Sequence, residues 1–189
     1  MTKTISLLIT IIFAGNIFAQ EIATFTDKRD GEIYKTVKIG NQVWMAENIR
    51  YKANEGHYFI YKTNKETNIK NGYLYNWTTA QKVCPTDWKL PSENDFKSLI
   101  NYYKNDKGKN ATFKSITSNN NNSFSALLSG YRDYKGFVHK DKFSLFWSST
   151  DITDEHAWLL SIEKKKKKVW THPYHTKGVA CSIRCLKDE

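Results

Sequence analysis

The 189-residue chain lacks any uninterrupted apolar run of the ~20 residues that a membrane-spanning helix requires. Its most apolar stretch, residues 5–13, follows Lys3 and precedes Ile17-Phe18-Ala19, which is the layout of a cleaved secretory signal. No cysteine follows the expected cut before Gln20, so a bacterial lipoprotein anchor is not indicated. Acidic residues are scarce, 19 against 29 Lys and Arg, and the formal charge is +10. Paired carboxylates at a recognisable spacing, a Ser-His-Asp arrangement and a glycine-rich phosphate loop are all missing. These absences predict an exported, non-catalytic protein with no cofactor, no metal and no transmembrane span once the signal is removed. The periplasm, the outer cell surface and secretion are all compatible with export.

Residues 1–19 are thus assigned to the signal and residues 20–189 to a single domain, long enough for a full core. Export argues against nucleic acid as the partner of the positive charge. The lysines are dispersed except for the run Lys164, Lys165, Lys166, Lys167 and Lys168, and such a surface suits anionic glycans or lipid headgroups. Three cysteines in an exported chain imply one disulfide and one thiol left over.

The stretch from Cys84 to Leu99 organises the rest. Pro85 and Asp87 favour a turn, and Leu90 before Pro91 is extended. Ser92 starts a helix, its hydroxyl accepting from the N–H of Asp95, while the Asp95 carboxylate suits the positive end of the helix dipole. Phe96, Leu99, Ile100 and Tyr103 give that helix one apolar face.

Upstream, residues 33–39 alternate, Gly40-Asn41 turns and residues 42–45 return, which predicts a β-hairpin. Residues 48–71 read as a loop with one short strand near residues 57–61. Trp77, Ala80, Gln81 and Cys84 at helical spacing predict a short helix starting at Asn76 or Thr78 and ending at Val83. Residues 104–122, rich in Lys, Asn, Gly and Ser, read as a mobile surface loop. Short strands are expected at 124–128, 130–133, 137–138, 145–149, 157–163, 167–171 and 179–186. The fold class is α+β, two helices with an antiparallel sheet gathered from both ends of the chain.

Several motifs carry a family likeness: Tyr34-Lys35-Thr36-Val37-Lys38-Ile39-Gly40, Gln42-Val43-Trp44-Met45-Ala46-Glu47-Asn48, Tyr73-Leu74-Tyr75-Asn76-Trp77, Gly130-Tyr131-Arg132-Asp133, Phe146-Trp147-Ser148-Ser149-Thr150 and Ser182-Ile183-Arg184-Cys185. Together they resemble the Fibrobacter succinogenes major paralogous domain of exported and surface proteins in Bacteroidetes-like bacteria. The resemblance implies a C-type-lectin-like fold, with paired N- and C-terminal strands and two helices flanking the sheet. Cys181 and Cys185 fall in one expected strand about 13 Å apart, too far to bond each other. Spacing alone leaves either free to pair with Cys84, and the resemblance selects Cys185. Asp87 stands where the family usually has glycine.

His172-Pro173-Tyr174-His175 offers two imidazoles, but Pro173 excludes the helix that would align them, and a turn between strands is expected. Asp151, Asp154 and Glu155 match no calcium-binding spacing, so no metal is expected there. Trp44, Trp77, Trp88 and Trp147 are assigned to packing. The candidate ligand-binding residues are Lys164 through Lys168 with Trp170, His172 and Tyr174, a cationic rim beside aromatic faces suited to an acidic glycan. The expected role is binding or adhesion toward a glycan or a cell-surface protein. The alternatives are a structural part of a surface assembly and a polysaccharide-acting enzyme using carboxylates such as Glu47, Glu93 or Asp133.

Overall fold

The computed structural model describes residues 23–61, 65–104, 110–119 and 123–188. The signal expected over residues 1–19 lies outside them. The chain opens as an antiparallel meander of β1 (Ala23–Thr26), β2 (Ile33–Ile39) and β3 (Gln42–Met45). Gly40 turns the predicted hairpin at φ 60°, with Ile39 opposite Gln42. Next come β4 (Tyr58–Phe59), α1 (Lys65–Asn71), β5 (Leu74–Asn76), α2 (Trp77–Val83), β6 (Trp88–Lys89), α3 (Glu93–Lys104) and α4 (Ala111–Thr117). The second half is strands: β7 (Tyr131–Asp133), β8 (Gly136–Val138), β9 (Phe143–Asp151), β10 (His156–Glu163), β11 (Lys168–Thr176), β12 (Ala180–Cys181) and β13 (Leu186–Lys187).

The strands form three sheets, ordered β1-β2-β3-β13-β6, β11-β10-β9 and β4-β5-β12-β7-β8. The last strand sits between β3 and β6, so the first and last strands share a sheet without being neighbours. The chain end is the seam between all three sheets. β12 belongs to one, Ser182 bridges to Phe146 of β9, and the carbonyls of Ile183 and Cys185 accept from Ile49 and Met45 before β13 enters another. Residues 179–186 are therefore two short strands around an irregular link, where the sequence predicts one strand. The link exchanges its backbone hydrogen bonds with separate partners, which a straight ladder cannot reach.

The β9–β11 sheet divides the core. Leu145, Trp147 and Leu159 face one apolar cluster, while Phe146, Leu160 and Ile162 face the other with Trp44 and the inner face of α3. A sheet buried on both faces accounts for the unbroken apolar runs in β9 and β10. α3 begins as its sequence predicts: Asp95 N–H donates to Ser92 Oγ at 3.2 Å, and Asp95 Oδ2 accepts from Ser92 N–H at 2.8 Å. Asp87 has φ 66°, so the turn that favours glycine is retained with an aspartate.

Four helices stand among the described residues, against two expected. α4 occupies part of the expected 104–122 loop because Phe113 and Ile116 cover the second cluster, Ile116 being fully buried. α1 likewise replaces loop. Residues 124–128 form no strand, although Phe124 and Ala126 are buried; the carbonyls of Phe124 and Ser125 accept from the Arg184 side chain.

Near the disulfide, Arg29 grips Asp27 through Nε at 2.9 Å and Nη2 at 2.6 Å, and also donates to the Val83 carbonyl at 2.9 Å. Burial alone raises the Asp27 pKa, but the hydrogen bonds and charge of Arg29 outweigh it and hold the carboxyl below its ordinary value. A lowered folded pKa contributes stability above the unfolded value of 3.8 that is lost as pH falls through the folded one. The thermal midpoint should therefore drop below pH 3.8 by less in Asp27→Asn than in the parent chain; equal drops in a pH series would show that the pair carries no acid sensitivity.

Candidate functional site

β10 and β11 form a hairpin whose last pair is Glu163 with Lys168, and residues 164–167 make its turn, Lys167 at φ 48°. The lysine run is thus the tip of a hairpin. Lys164 N–H donates to the Lys142 carbonyl at 3.0 Å, which brings the tip against the turn of residues 139–142. Between them and β7 lies a cavity of about 640 Å³ lined by Tyr131, His139, Lys142, Phe143, Glu163, Lys164 and Lys165.

The cavity walls are aromatic. Tyr131 stacks on His139 with centroids 5.6 Å apart at 29°, and meets Phe143 edge-on at 6.5 Å. Phe143 meets Trp170 edge-on at 5.9 Å, and Lys168 Nζ stands 4.9 Å from the Trp170 ring centre. Burial is the largest of the effects raising the Tyr131 pKa, so its phenol is a neutral donor at physiological pH. The rim carries three ammonium groups and one carboxylate, Glu163, whose Oε2 lies 3.0 Å from Lys166 Nζ.

Two left-handed residues, His139 at φ 60° and Asp141 at φ 63°, shape the turn beside the cavity. Gly130 permits its close approach, since a Cβ there would stand 2.2 Å from the Val138 carbonyl oxygen. Backbone held in this region costs free energy and concentrates at functional sites.

Of the residues singled out from sequence, Lys164 and Lys165 line the cavity. Lys166 is paired with Glu163, Lys167 shapes the turn, and Lys168 and half-buried Trp170 adjoin the cavity through Phe143. His172 lies farther along β11, opposite Leu159. The expected turn at residues 172–175 is instead part of β11: the step from His172 to His175 spans only Leu159 to Ala157, a bulge that accommodates Pro173, which has no N–H to give. The side chains of Tyr174 and His175 lie outside the described structure.

Tyr131, His139, Lys142 and Phe143 escaped the sequence reading. Tyr131 belongs to the Gly130-Tyr131-Arg132-Asp133 motif, but the contact of residue 142 with residue 164 is a cross-hairpin pairing invisible to local pattern.

Other candidate groups lie elsewhere. Asp151 pairs with Lys177 at 2.6 Å, and the hydrogen bond from that lysine is the main cause of its lowered pKa. Among the described residues no three His, Cys, Asp or Glu side chains are grouped to hold a metal ion. Glu47 accepts from Lys35 N–H, Glu93 holds Lys97 and the Thr171 hydroxyl, and Asp133 caps the β7–β8 turn through Lys135 N–H. None of these three carboxylates lines the cavity. Cys84 and Cys185 are joined, and Cys181 is a buried free thiol. No described helix is long and apolar enough to cross a membrane.

A family model described as the Fibrobacter succinogenes major domain matches residues 37–187. No curated protein and no solved structure matches the chain.

Proposed function

We propose, from the premise that this chain belongs to the Fibrobacter succinogenes major domain family, that it is an exported, non-catalytic module binding acidic glycans on a C-type-lectin-like scaffold. The observation that supports this is the cavity joining Tyr131 and Phe143 to the ammonium groups of Lys142, Lys164 and Lys165. Ring faces pack against the C–H faces of sugars, and ammonium groups hold carboxylate or phosphate substituents. A glycosidase of the usual kind needs two carboxylates ~5–9 Å apart across the scissile bond. The cavity lining offers Glu163 alone.

Titration against uronic-acid glycans and their neutral counterparts tests this directly. Replacing Lys142, Lys164 and Lys165 by serine should weaken acidic-glycan binding by roughly tenfold or more, given ~1.5–3 kcal/mol for a hydrogen bond to a charged group. Binding should also weaken as salt shortens the Debye length from ~10 Å at 0.1 M to ~3 Å at 1 M. Binding indifferent to both salt and the lysines would place the site elsewhere. Hydrolysis in a parallel assay would favour the enzyme.

A second reading has its own support, because β11 is an edge of its sheet. Like charges at an edge discourage pairing with another chain. On that reading Lys168→Ser, the change on the edge strand itself, promotes self-association, and glycan binding does not depend on Lys142, Lys164 or Lys165.

A further inference from the structure

The turn of residues 139–142 has cavities on both sides. His139 and Lys142 line the aromatic one, whereas Lys140 and Asp141 line a second, of about 380 Å³, with Glu66, Thr67, Lys70, Asn71, Leu127 and Leu128. One residue lining the second cavity carries an unsatisfied group. Asn71 is 8 % exposed, and its side-chain Nδ2 is buried with no hydrogen-bond partner among the described residues. A buried amide donor left unmatched is costly, and native structures rarely leave one without a reason.

The backbone carbonyl of the same residue is engaged. It accepts from Asn48 Nδ2 at 2.8 Å, which fixes Asn71 to the core while its amide donor stays unpaired. The same cavity is lined by two residues with ammonium groups, Lys70 and Lys140, and two with carboxylates, Glu66 and Asp141. This mixture suits a hydroxylated ring, whose oxygens both donate to carboxylates and accept from amide and ammonium groups.

We propose that this cavity is a second subsite, and that the ligand is an oligosaccharide chain bearing carboxylates, laid across the 139–142 turn. The proposal rests on the aromatic cavity being an acidic-glycan site. Four consecutive residues reach at most roughly 11 Å from end to end, so a chain of a few sugar units touches both cavities. Its first units occupy the aromatic cavity, and a later unit accepts from Asn71 Nδ2.

The test is a length series of uronic-acid oligomers, from one to six units, titrated into the mature chain. Affinity should climb with length in the parent protein. In Asn71→Leu the gain from length should fall by roughly fivefold, the equivalent of one hydrogen bond of about 1 kcal/mol, while affinity for the shortest binding oligomer stays at the parent value. Asp141→Asn tests the same subsite at an exposed position where folding is not at risk, since asparagine tolerates the left-handed backbone. It too should reduce only the length-dependent part.

Length-independent affinity in the parent protein, or an unchanged length series in both variants, overturns the second subsite and leaves the first intact. Failure of every oligomer to bind overturns the acidic-glycan site, and the second subsite with it.

Discussion

Replacing Arg184 by methionine should lower the unfolding free energy by ~3–5 kcal/mol, because several buried acceptors lose their donor at about 1–3 kcal/mol each. Arg184 is fully buried and makes no ion pair among the described residues. Its guanidinium donates to Asn48 Oδ1 at 3.1 and 2.9 Å, to the Met45 carbonyl at 3.3 Å, to the Ser125 carbonyl at 3.4 Å and to the Phe124 carbonyl. It also lies over the Phe124 ring, 4.5 Å from its centre. Burial pushes its pKa down to about 9, with Glu47 and Tyr103 pulling the other way, so it stays charged at neutral pH.

Methionine fills much of the volume but leaves those acceptors dry, at about 1–3 kcal/mol for each group left unsatisfied. Lysine keeps the charge but cannot fork between Asn48 and the carbonyls, so Arg184→Lys should recover only part of the loss. For a domain of this size the methionine variant's midpoint should fall by roughly 10 °C. A midpoint within a degree of the parent's would mean that these contacts contribute little.

The second large effect is expected at the disulfide. Cys84 and Cys185 lie 101 residues apart in sequence with Cα atoms 5.8 Å apart, joining the end of α2 to the seam before β13. Closing a loop of this length contributes up to ~4.7 kcal/mol in the chain-entropy description, and 2–4 is typical. The double variant Cys84→Ala, Cys185→Ala should be destabilised by ~2–4 kcal/mol in a urea titration.

Cys181 is the control. Cys181 takes no part in the disulfide, but it is fully buried in the first apolar cluster, where a serine hydroxyl would sit among apolar groups. Alanine is the better substitution. Burial also pushes the Cys181 thiol pKa well up, so an alkylating reagent should label it only after unfolding. A peptide linking Cys84 to Cys181, or rapid labelling of the native chain, would refute the pairing.

Sequence by itself determined whatever depends on neighbours along the chain. The capped start of α3 at Ser92, the Gly40 hairpin and the span of α2 are set by backbone preferences and side chains a few residues apart. The motif likeness carried the family and the choice of Cys185 over Cys181, which geometry in sequence could not make.

Only the tertiary structure decided the rest. α4 exists because Phe113 and Ile116 find a cluster to cover, against a composition that favours loop. The stretch 124–128 is no strand because its carbonyls answer an arginine about sixty residues away. The candidate site follows the same rule: Lys164 and Lys165 were visible as a charge run, whereas Tyr131, His139, Lys142 and Phe143 joined them through a contact between a hairpin tip and a separate turn. Local pattern records the periodicity of one element. A cavity is made where elements distant in sequence meet, and their meeting is fixed by burial and long-range hydrogen bonds.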